Sequence, residues 1–344
     1  MNVLQLPKPF FVLAPMDDVT DTVFRRIVGG CSPPDLYFTE FVNVDGLQSP
    51  GRQKLFKKLQ FTAYEQPLIV QIWGKYPENY RKTAEQIADG SLARELGLPD
   101  GLNFVGVDIN MGCPEKNVVR NGTCSGLIND RPKAEEIIKA TQEGLAGRLP
   151  LSVKTRIGFN EVDLTWIEFL LEQNLSMLTV HGRTRKQMSK VPADWDIIGR
   201  CRELRDQIAP ETLIVGNGDV QTREHGDQLA DKYQLDGIMI GRGIFQDPYV
   251  FAEQSPWPNK TPHERLELYR TQVELFAKTW RNRERSVKTL NRFCKVYVHG
   301  FDGAKELREQ LMQATSTDQL LHLLDEVVKN TAEQPATNLY TSIS

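Results

Sequence analysis

This sequence predicts a (β/α)8 TIM barrel followed by a C-terminal all-helical domain. Three observations carry the prediction. Eight short apolar runs recur through the first part of the chain, each closed by glycine, proline or a polar residue. Segments of helical character lie between them, such as Tyr80–Leu96 and Lys133–Gly144. After Asp247-Pro248 the runs stop, and from His263 onward only helical stretches follow.

The runs are Phe10–Leu13, Leu36–Phe38, Leu68–Ile72, Val105–Ile109, Leu151–Thr155, Met177–Val180, Leu213–Gly216 and Gly237–Ile240. Most are continuously apolar rather than alternating, as strands covered on both faces are. Strand alternating with helix implies parallel βαβ units. Eight units in about 245 residues fit a barrel that typically takes ~250. A doubly wound open sheet competes, but no GxGxxG opens the first βα turn. The later helical stretches are Arg265–Arg281, Arg285–Val298, Ala304–Met312 and Thr317–Lys329. The expected domains are therefore a catalytic barrel over 1–250, a linker over 251–262, a helical domain over 263–332 and a polar tail over 333–344. Pro256-Trp-Pro258 and Lys260-Thr-Pro262 mark the linker.

Of the 344 residues, 40% are hydrophobic and 25% charged, which places the chain among folded globular proteins. No apolar run approaches the roughly 18 residues of a membrane helix, and MNVLQLPKPFFVLAPMDD has no signal-peptide pattern. Five scattered cysteines without a CxxC pair predict a reducing compartment, so a cytoplasmic protein without disulfides or a metal site. A monomer is expected.

In this fold the active site forms at the C-terminal ends of the strands. Those ends carry Pro15-Met16, Thr39-Glu40, Gln71, Asn110 with Cys113, Lys154 with Arg156, His181, Asn217-Gly218-Asp219 and Gly241-Arg242. A polar residue that closes an apolar strand is costly unless it meets something. Any one could be a cap or a loop residue; eight together read as a lined pocket. The seventh and eighth units end in Gly216-Asn-Gly-Asp219 and Gly241-Arg-Gly243, where glycines let main-chain N–H groups approach an anion. The loops after these strands are the usual phosphate site of the fold, so a phosphorylated ligand is expected. Lys154 and His181 on neighbouring strands suit the carbonyl and N1 edge of a flavin, where reduction builds negative charge.

Cys113 follows the fourth run in GVDINMGCPEKN, held between Gly112 and Pro114. A buried structural cysteine is the ordinary expectation, but the strand-end rule places this one at the barrel mouth. It reads as a nucleophile or a general acid. A nucleophile needs a basic partner, which the sequence does not place. A thiol near its normal pKa of ~8.5 stays protonated at neutral pH and can donate. Beside a flavin this suggests reduction of a double bond.

Taken together, these motifs resemble the tRNA-dihydrouridine synthase family over nearly the whole length. The residues that carry the resemblance are Ala14-Pro-Met16, Thr39-Glu40, Val70-Gln71, Asp108-Ile-Asn-Met-Gly-Cys-Pro114, Val153-Lys-Thr-Arg156, His181-Gly-Arg-Thr-Arg185, Ala193-Asp-Trp195, Gly216-Asn-Gly-Asp219 and Ile240-Gly-Arg-Gly243. Arg292-Phe-Cys-Lys-Val-Tyr297 and Gly300-Phe-Asp-Gly-Ala304 look like its helical domain. The resemblance implies an FMN-binding barrel and a helical tRNA-binding domain. It implies reduction of the C5–C6 bond of a tRNA uridine, with NADPH recharging the flavin. Carried over by motif, Cys113 is the acid that protonates C5, and Asn110 orients the uracil. Met16, Gln71, Lys154 and His181 contact the isoalloxazine, and Pro15 is counted with the cofactor residues. Asn217, Gly218, Asp219, Gly241 and Arg242 hold the phosphate, and Arg183 and Thr184 lie near the substrate. The uridine has to leave the tRNA body to reach such a site. Arg120-Asn-Gly-Thr-Cys-Ser-Gly126 and Lys186–Pro192 depart from the family pattern, and both bear on which uridine is chosen.

The net charge of −3 alone predicts no nucleic-acid partner. Its distribution does. Six Lys/Arg (Arg281, Arg283, Arg285, Lys288, Arg292, Lys295) and one acid, Glu284, fall between Arg281 and Lys295. Arg285, Arg292 and Lys295 are expected to meet tRNA phosphates, which give affinity without sequence readout. Arg183, Arg185, Lys186 and Lys190 form a second basic group. Two rivals stand beside this reading. One is a dihydroorotate-dehydrogenase-like FMN barrel acting on a small free substrate; the other is an RNA-binding protein with an inactive barrel. Binding of tRNA separates the first, and flavin absorbance the second.

Overall fold

The computed structural model describes residues 5–281 and 284–331. It divides into two compact units. The first runs to Ile244 and takes in Val250–Glu253; the second holds Phe245–Tyr249 and the residues from Gln254.

All eight predicted runs in the first unit are strands. They are β1 (Phe10–Leu13), β2 (Tyr37–Phe38), β4 (Leu68–Trp73), β5 (Gly106–Met111), β6 (Leu151–Arg156), β7 (Met177–His181), β8 (Leu213–Asn217) and β9 (Gly237–Ile240). A two-residue strand, β3 (Val42–Asn43), pairs with the end of β4 and is too short to show as a run. The order is β1-β9-β8-β7-β6-β5-β4-β2, every pairing parallel. Its two ends meet through a bridge from Val12 to Leu36, with the N–H of Leu13 donating to the oxygen of Leu36 at 3.1 Å. Several strands continue one or two residues past their apolar run into polar positions, because the parallel ladder persists to the barrel mouth.

The inside of the barrel is split along its axis. Its N-terminal part is an apolar cluster that includes Phe10, Val12, Leu36, Phe38, Ile69, Met177, Leu213, Val215 and Met239. Burying such a side chain contributes about 1.5–3 kcal/mol, and Phe38→Ala would cost about 3–5 kcal/mol. Side chains two residues further along the same strands share that face. There the lining turns polar: Gln71, Asp108 and Asn110, Ser152 and Lys154, Thr179 and His181, Asn217. The apolar end closes the barrel, and the polar end builds the site.

Side chains at the helix starts fix where each strand hands over to its helix. Asp21, Asp130, Asp163, Asp194 and Thr222 each accept a main-chain N–H in the first turn of the helix they precede. The predicted helix Tyr80–Leu96 is two, Pro77–Ala88 and Ser91–Glu95. Gly90 between them has φ +74°, a left-handed conformation that ends a helix.

In the second unit, the helix Pro262–Thr279 starts from a capping box between Thr261 and Glu264. Its Tyr269 ring stacks on Tyr297 at 5.0 Å, and the Tyr297 hydroxyl donates to Gln272 at 2.8 Å. Arg270 ties it to the last helix (Thr317–Thr331) through Asp325 at 2.6 Å. The predicted helix Arg285–Val298 is a 3-10 stretch, Val287–Phe293, followed by one α-turn, Cys294–Tyr297. The expected linker is not loose. Trp257 within it is buried, its ring edge-on to Tyr297 at 6.0 Å. The expected polar tail lies outside the described residues. Among the described residues, no helix is long and apolar enough to cross a membrane.

Candidate functional site

The Cys113 loop leaves β5 as a tight turn held from three sides. Asn110, still on the strand, accepts the N–H groups of Gly112 and Cys113, each at 3.0 Å. Arg156 at the end of β6 donates to the oxygen of Gly112 at 2.6 Å. Ser125 donates its hydroxyl to the oxygen of Cys113 at 2.7 Å. The thiol is half-buried, and burial raises its pKa above the ordinary value. The Glu115 N–H and the Arg156 charge pull it back only in part. Cys113 is therefore a protonated thiol at neutral pH, suited to giving a proton rather than attacking.

Beside this loop lies the polar layer. Lys154 donates to Asn217 Oδ1 at 3.1 Å, and Asn217 donates in turn to the oxygen of Met239 at 2.8 Å. Burial, helped by the Arg156 charge, brings Lys154 down to about 8. His181 is held neutral, first by burial and then by the cations Arg156, Lys154, Arg183 and Arg242. Arg183 Nη1 stands 3.3 Å from His181 Nε2. A guanidinium only donates, so Nε2 accepts and the ring proton sits on Nδ1. That Nδ1 is buried without a protein partner. Lys154 and His181 thus present a cation and a donor without a protein acceptor at the polar end of the barrel, a donor set that fits the carbonyl and nitrogen edge of a flavin.

The expected phosphate corner is built around Asp219. Its carboxylate accepts from Arg183, from the N–H of Ala193 at 2.9 Å and from Arg242 at 3.4 Å. Burial alone would raise Asp219; the Arg183 hydrogen bond and the Ala193 N–H hold it below the usual range instead. The carboxylate is thus committed to two arginines, and only the main chain of Asp219 is suited to an anion. Gly218 has φ +140°, and a Cβ there would meet the Ala193 Cβ at 2.5 Å, so the turn requires glycine. Gly241 is not crowded in this way; its nearest neighbour would be the Ala14 Cβ at 3.6 Å. Arg242 is exposed and Met16 half-buried, its N–H donating to Thr20 at 2.9 Å.

Within the barrel unit the predicted residues come together, with two differences. Arg183 and Thr184 are buried, and both are engaged within the loop after β7. Arg183 holds Asp219 and the oxygen of Val191, and Thr184 exchanges hydrogen bonds with Gln187. Both brace that loop, and Arg183 also ties it to the loop after β8 through Asp219. Asn110 likewise has its oxygen occupied by the Cys113 loop. In the helical unit, Lys288, Arg292 and Lys295 are exposed. Arg285 is buried, its guanidinium 5.3 Å from the Trp280 ring centre, and is not a surface charge. Arg283 lies outside the described residues.

Two residues, Asp108 and Ser125, were not singled out from the sequence, nor was the anchoring role of Arg156. Asp108 had a signal. In Gly106-Val-Asp-Ile-Asn, Asp108 and Asn110 are two apart on a strand and so share the inward face.

The profile of the family described as dihydrouridine synthase (Dus) matches residues 12–333. A probable tRNA-dihydrouridine synthase of Staphylococcus aureus (strain COL) is 46% identical over 325 residues, covering 94% of each chain. Probable tRNA-dihydrouridine synthase 2 of Bacillus subtilis (strain 168) is 45% identical over 94% of this chain and 95% of its own. Among solved structures, a morphinone reductase mutant in complex with tetrahydroNAD is similar at 11% identity and TM-score 0.46, over 73% of this chain and 89% of that one.

Proposed function

The chain belongs to the dihydrouridine synthase family, and from that premise we propose that it reduces tRNA uridines with FMN and NADPH, Cys113 being the proton donor. It is a flavin-dependent oxidoreductase acting on tRNA. The observation that carries the finer reading is the half-buried thiol of Cys113, kept protonated by burial and held by Asn110 at the edge of the Lys154–His181 layer.

Bound FMN would supply the hydride chemistry of the reduction, with NADPH as its reductant. Lys154, His181 and Gln71, with Pro15 and Met16, would hold its ring system. The main chain of Gly218, Asp219 and Gly241, with Arg242, would hold its phosphate. Cys113 gives its proton to C5, so hydride and proton together saturate the C5–C6 bond, and the thiolate left behind is reprotonated from solvent. The raised thiol pKa favours this order of events: the proton is present before reaction, and the neighbouring Arg156 charge eases its departure. Lys288, Arg292 and Lys295 of the helical unit meet tRNA phosphates. The enzyme works in the cytoplasm as a monomer. A small free substrate is disfavoured, because the curated relatives are named for tRNA across almost their whole length.

The test is direct. Purified protein releases its flavin on heating, and the flavin is identified by mass; tRNA lacking dihydrouridine is then incubated with protein and NADPH, and dihydrouridine is counted by position. FMN and new dihydrouridine are expected. FAD, or no dihydrouridine with a reducible flavin present, would overturn the proposal.

A further inference from the structure

Asp108 has no part in the chemistry above, yet it lies directly beneath it. It is fully buried on β5, one inward position before Asn110. It accepts from Ser152 Oγ at 2.6 Å and from Gln71 Nε2 at 2.7 Å. Lys154 acts on its charge but makes its hydrogen bond to Asn217 instead. A buried carboxylate without a bonded cation is an expensive way to fill a barrel. What it does that no neutral side chain of its size can do is accept hydrogen bonds without donating any.

The consequence runs along the barrel wall. Gln71 must turn its NH2 toward Asp108, which leaves its oxygen for Asn110. Asn110 meets that oxygen with its own NH2 at 3.1 Å. Its oxygen is then left facing the N–H groups of Gly112 and Cys113, both at 3.0 Å. The chain is held at both ends, by the acceptor-only carboxylate of Asp108 and by the donor-only N–H groups of Gly112 and Cys113, so both amides have one direction. We propose that Asp108 is a positioning residue, which orients Gln71 and Asn110 in series and so places the Cys113 loop. The placement stands on the hydrogen bonds themselves; its effect on catalysis rests on the reading of Cys113 as the proton donor.

Asp108→Asn keeps the shape but can donate as well as accept, so the Asp108 end no longer holds Gln71 one way and only the Asn110 end does. Ser152→Ala takes a hydrogen bond from the same carboxylate and leaves the amide chain intact. Three quantities are compared in the purified holoenzymes: the iodoacetamide alkylation rate at the Cys113 peptide, the melting temperature and the single-turnover rate of flavin reoxidation by tRNA. For Asp108→Asn, alkylation should be several-fold faster, the melting temperature equal or higher, and reoxidation at least ten-fold slower. Ser152→Ala should stay close to the parent in alkylation and reoxidation. Alkylation of Asp108→Asn at the parent rate, or the same change in Ser152→Ala, overturns the proposal. A lower melting temperature with matching loss of flavin in both variants assigns Asp108 a purely structural role and overturns it too. If Asp108→Asn does not fold, Gln71→Leu cuts the chain one step later and must also speed alkylation; an unchanged rate there is equally contrary. Should Cys113→Ala spare reoxidation, the donor reading fails, while the alkylation comparison still decides the placement.

Discussion

The side-chain oxygen of Asn110 accepts the main-chain N–H of Cys113 at 3.0 Å, so the reactive thiol is hung from the strand that precedes it rather than left to a free loop. Asn110→Ala removes the acceptor for two N–H groups and leaves the buried Gln71 oxygen without its donor. Loss of stability of about 1–3 kcal/mol follows. Displacing the thiol by an ångström should slow tRNA-dependent flavin reoxidation by ~10²-fold, with flavin reduction by NADPH little changed. Stopped-flow measurement of the two half-reactions decides it; equal slowing of both would mean that Asn110 holds the flavin rather than the thiol.

Asp108 predicts a pH signature in stability. Burial raises it to about 6, with Ser152, Gln71 and Lys154 opposing. Its folded pKa lies above the unfolded value, so its ionised form weakens the fold above pH about 6. That penalty is relieved as pH falls through 6 toward the unfolded value near 3.9. Relative to Asp108→Asn, the parent should therefore gain stability on the order of 2 kcal/mol between pH 8 and pH 4.5. Urea unfolding of both proteins across that range measures it, and a constant difference would show that Asp108 does not titrate there.

His181 stays neutral and offers Nδ1–H. Replacing it by Phe, which keeps the ring volume, should weaken FMN binding by roughly 2–12-fold, one neutral hydrogen bond. An ordinary histidine would gain charge as pH falls through its usual range and bind the anionic flavin more tightly. Here the parent-to-variant affinity ratio should be flat between pH 8 and pH 6, as read by flavin fluorescence. A ratio that climbs toward pH 6 would show that His181 protonates.

Changing Lys288, Arg292 and Lys295 together to Ala should lower tRNA affinity and reduce the slope of log K against log salt by up to about 2–3, one increment for each phosphate left unneutralised. NADPH oxidation without tRNA should not change. Arg285 is left out because it is buried against Trp280. Filter binding at three salt concentrations reads both effects; an unaltered slope would make this face a solvated one.

The strands and their polar ends were legible because apolar runs and their polar closures are local features of the chain. Every run from Phe10–Leu13 to Gly237–Ile240 is a strand. What was hidden depends on three-dimensional pairing. Arg285 sits in a basic run, yet burial against Trp280 removes it from the surface, and charge counting is blind to that. Arg183 read as a substrate residue, and its hydrogen bond to Asp219, in the loop after the next strand, could not be seen from its motif alone. Trp257 read as linker between two prolines, because nothing local announces its packing on Tyr297. Asp108 was in plain view, but its meaning needs Gln71 and Ser152 from two other strands.

Cys113→Ala separates the account from its competitors most sharply. Flavin content should be unchanged, since the ring and phosphate contacts come from other strands, and reduction by NADPH should proceed at the parent rate. Reoxidation by tRNA should fall by ~10²–10⁴-fold, the usual worth of a general acid. Cys113→Ser should also be impaired, and Cys124→Ala, a buried thiol in the neighbouring 3-10 turn, serves as control. Two-phase stopped-flow kinetics on the flavin absorbance give both rates from one preparation. Selective loss of the second phase is the result predicted; equal slowing of both phases, or of neither, would contradict Cys113 as the proton donor.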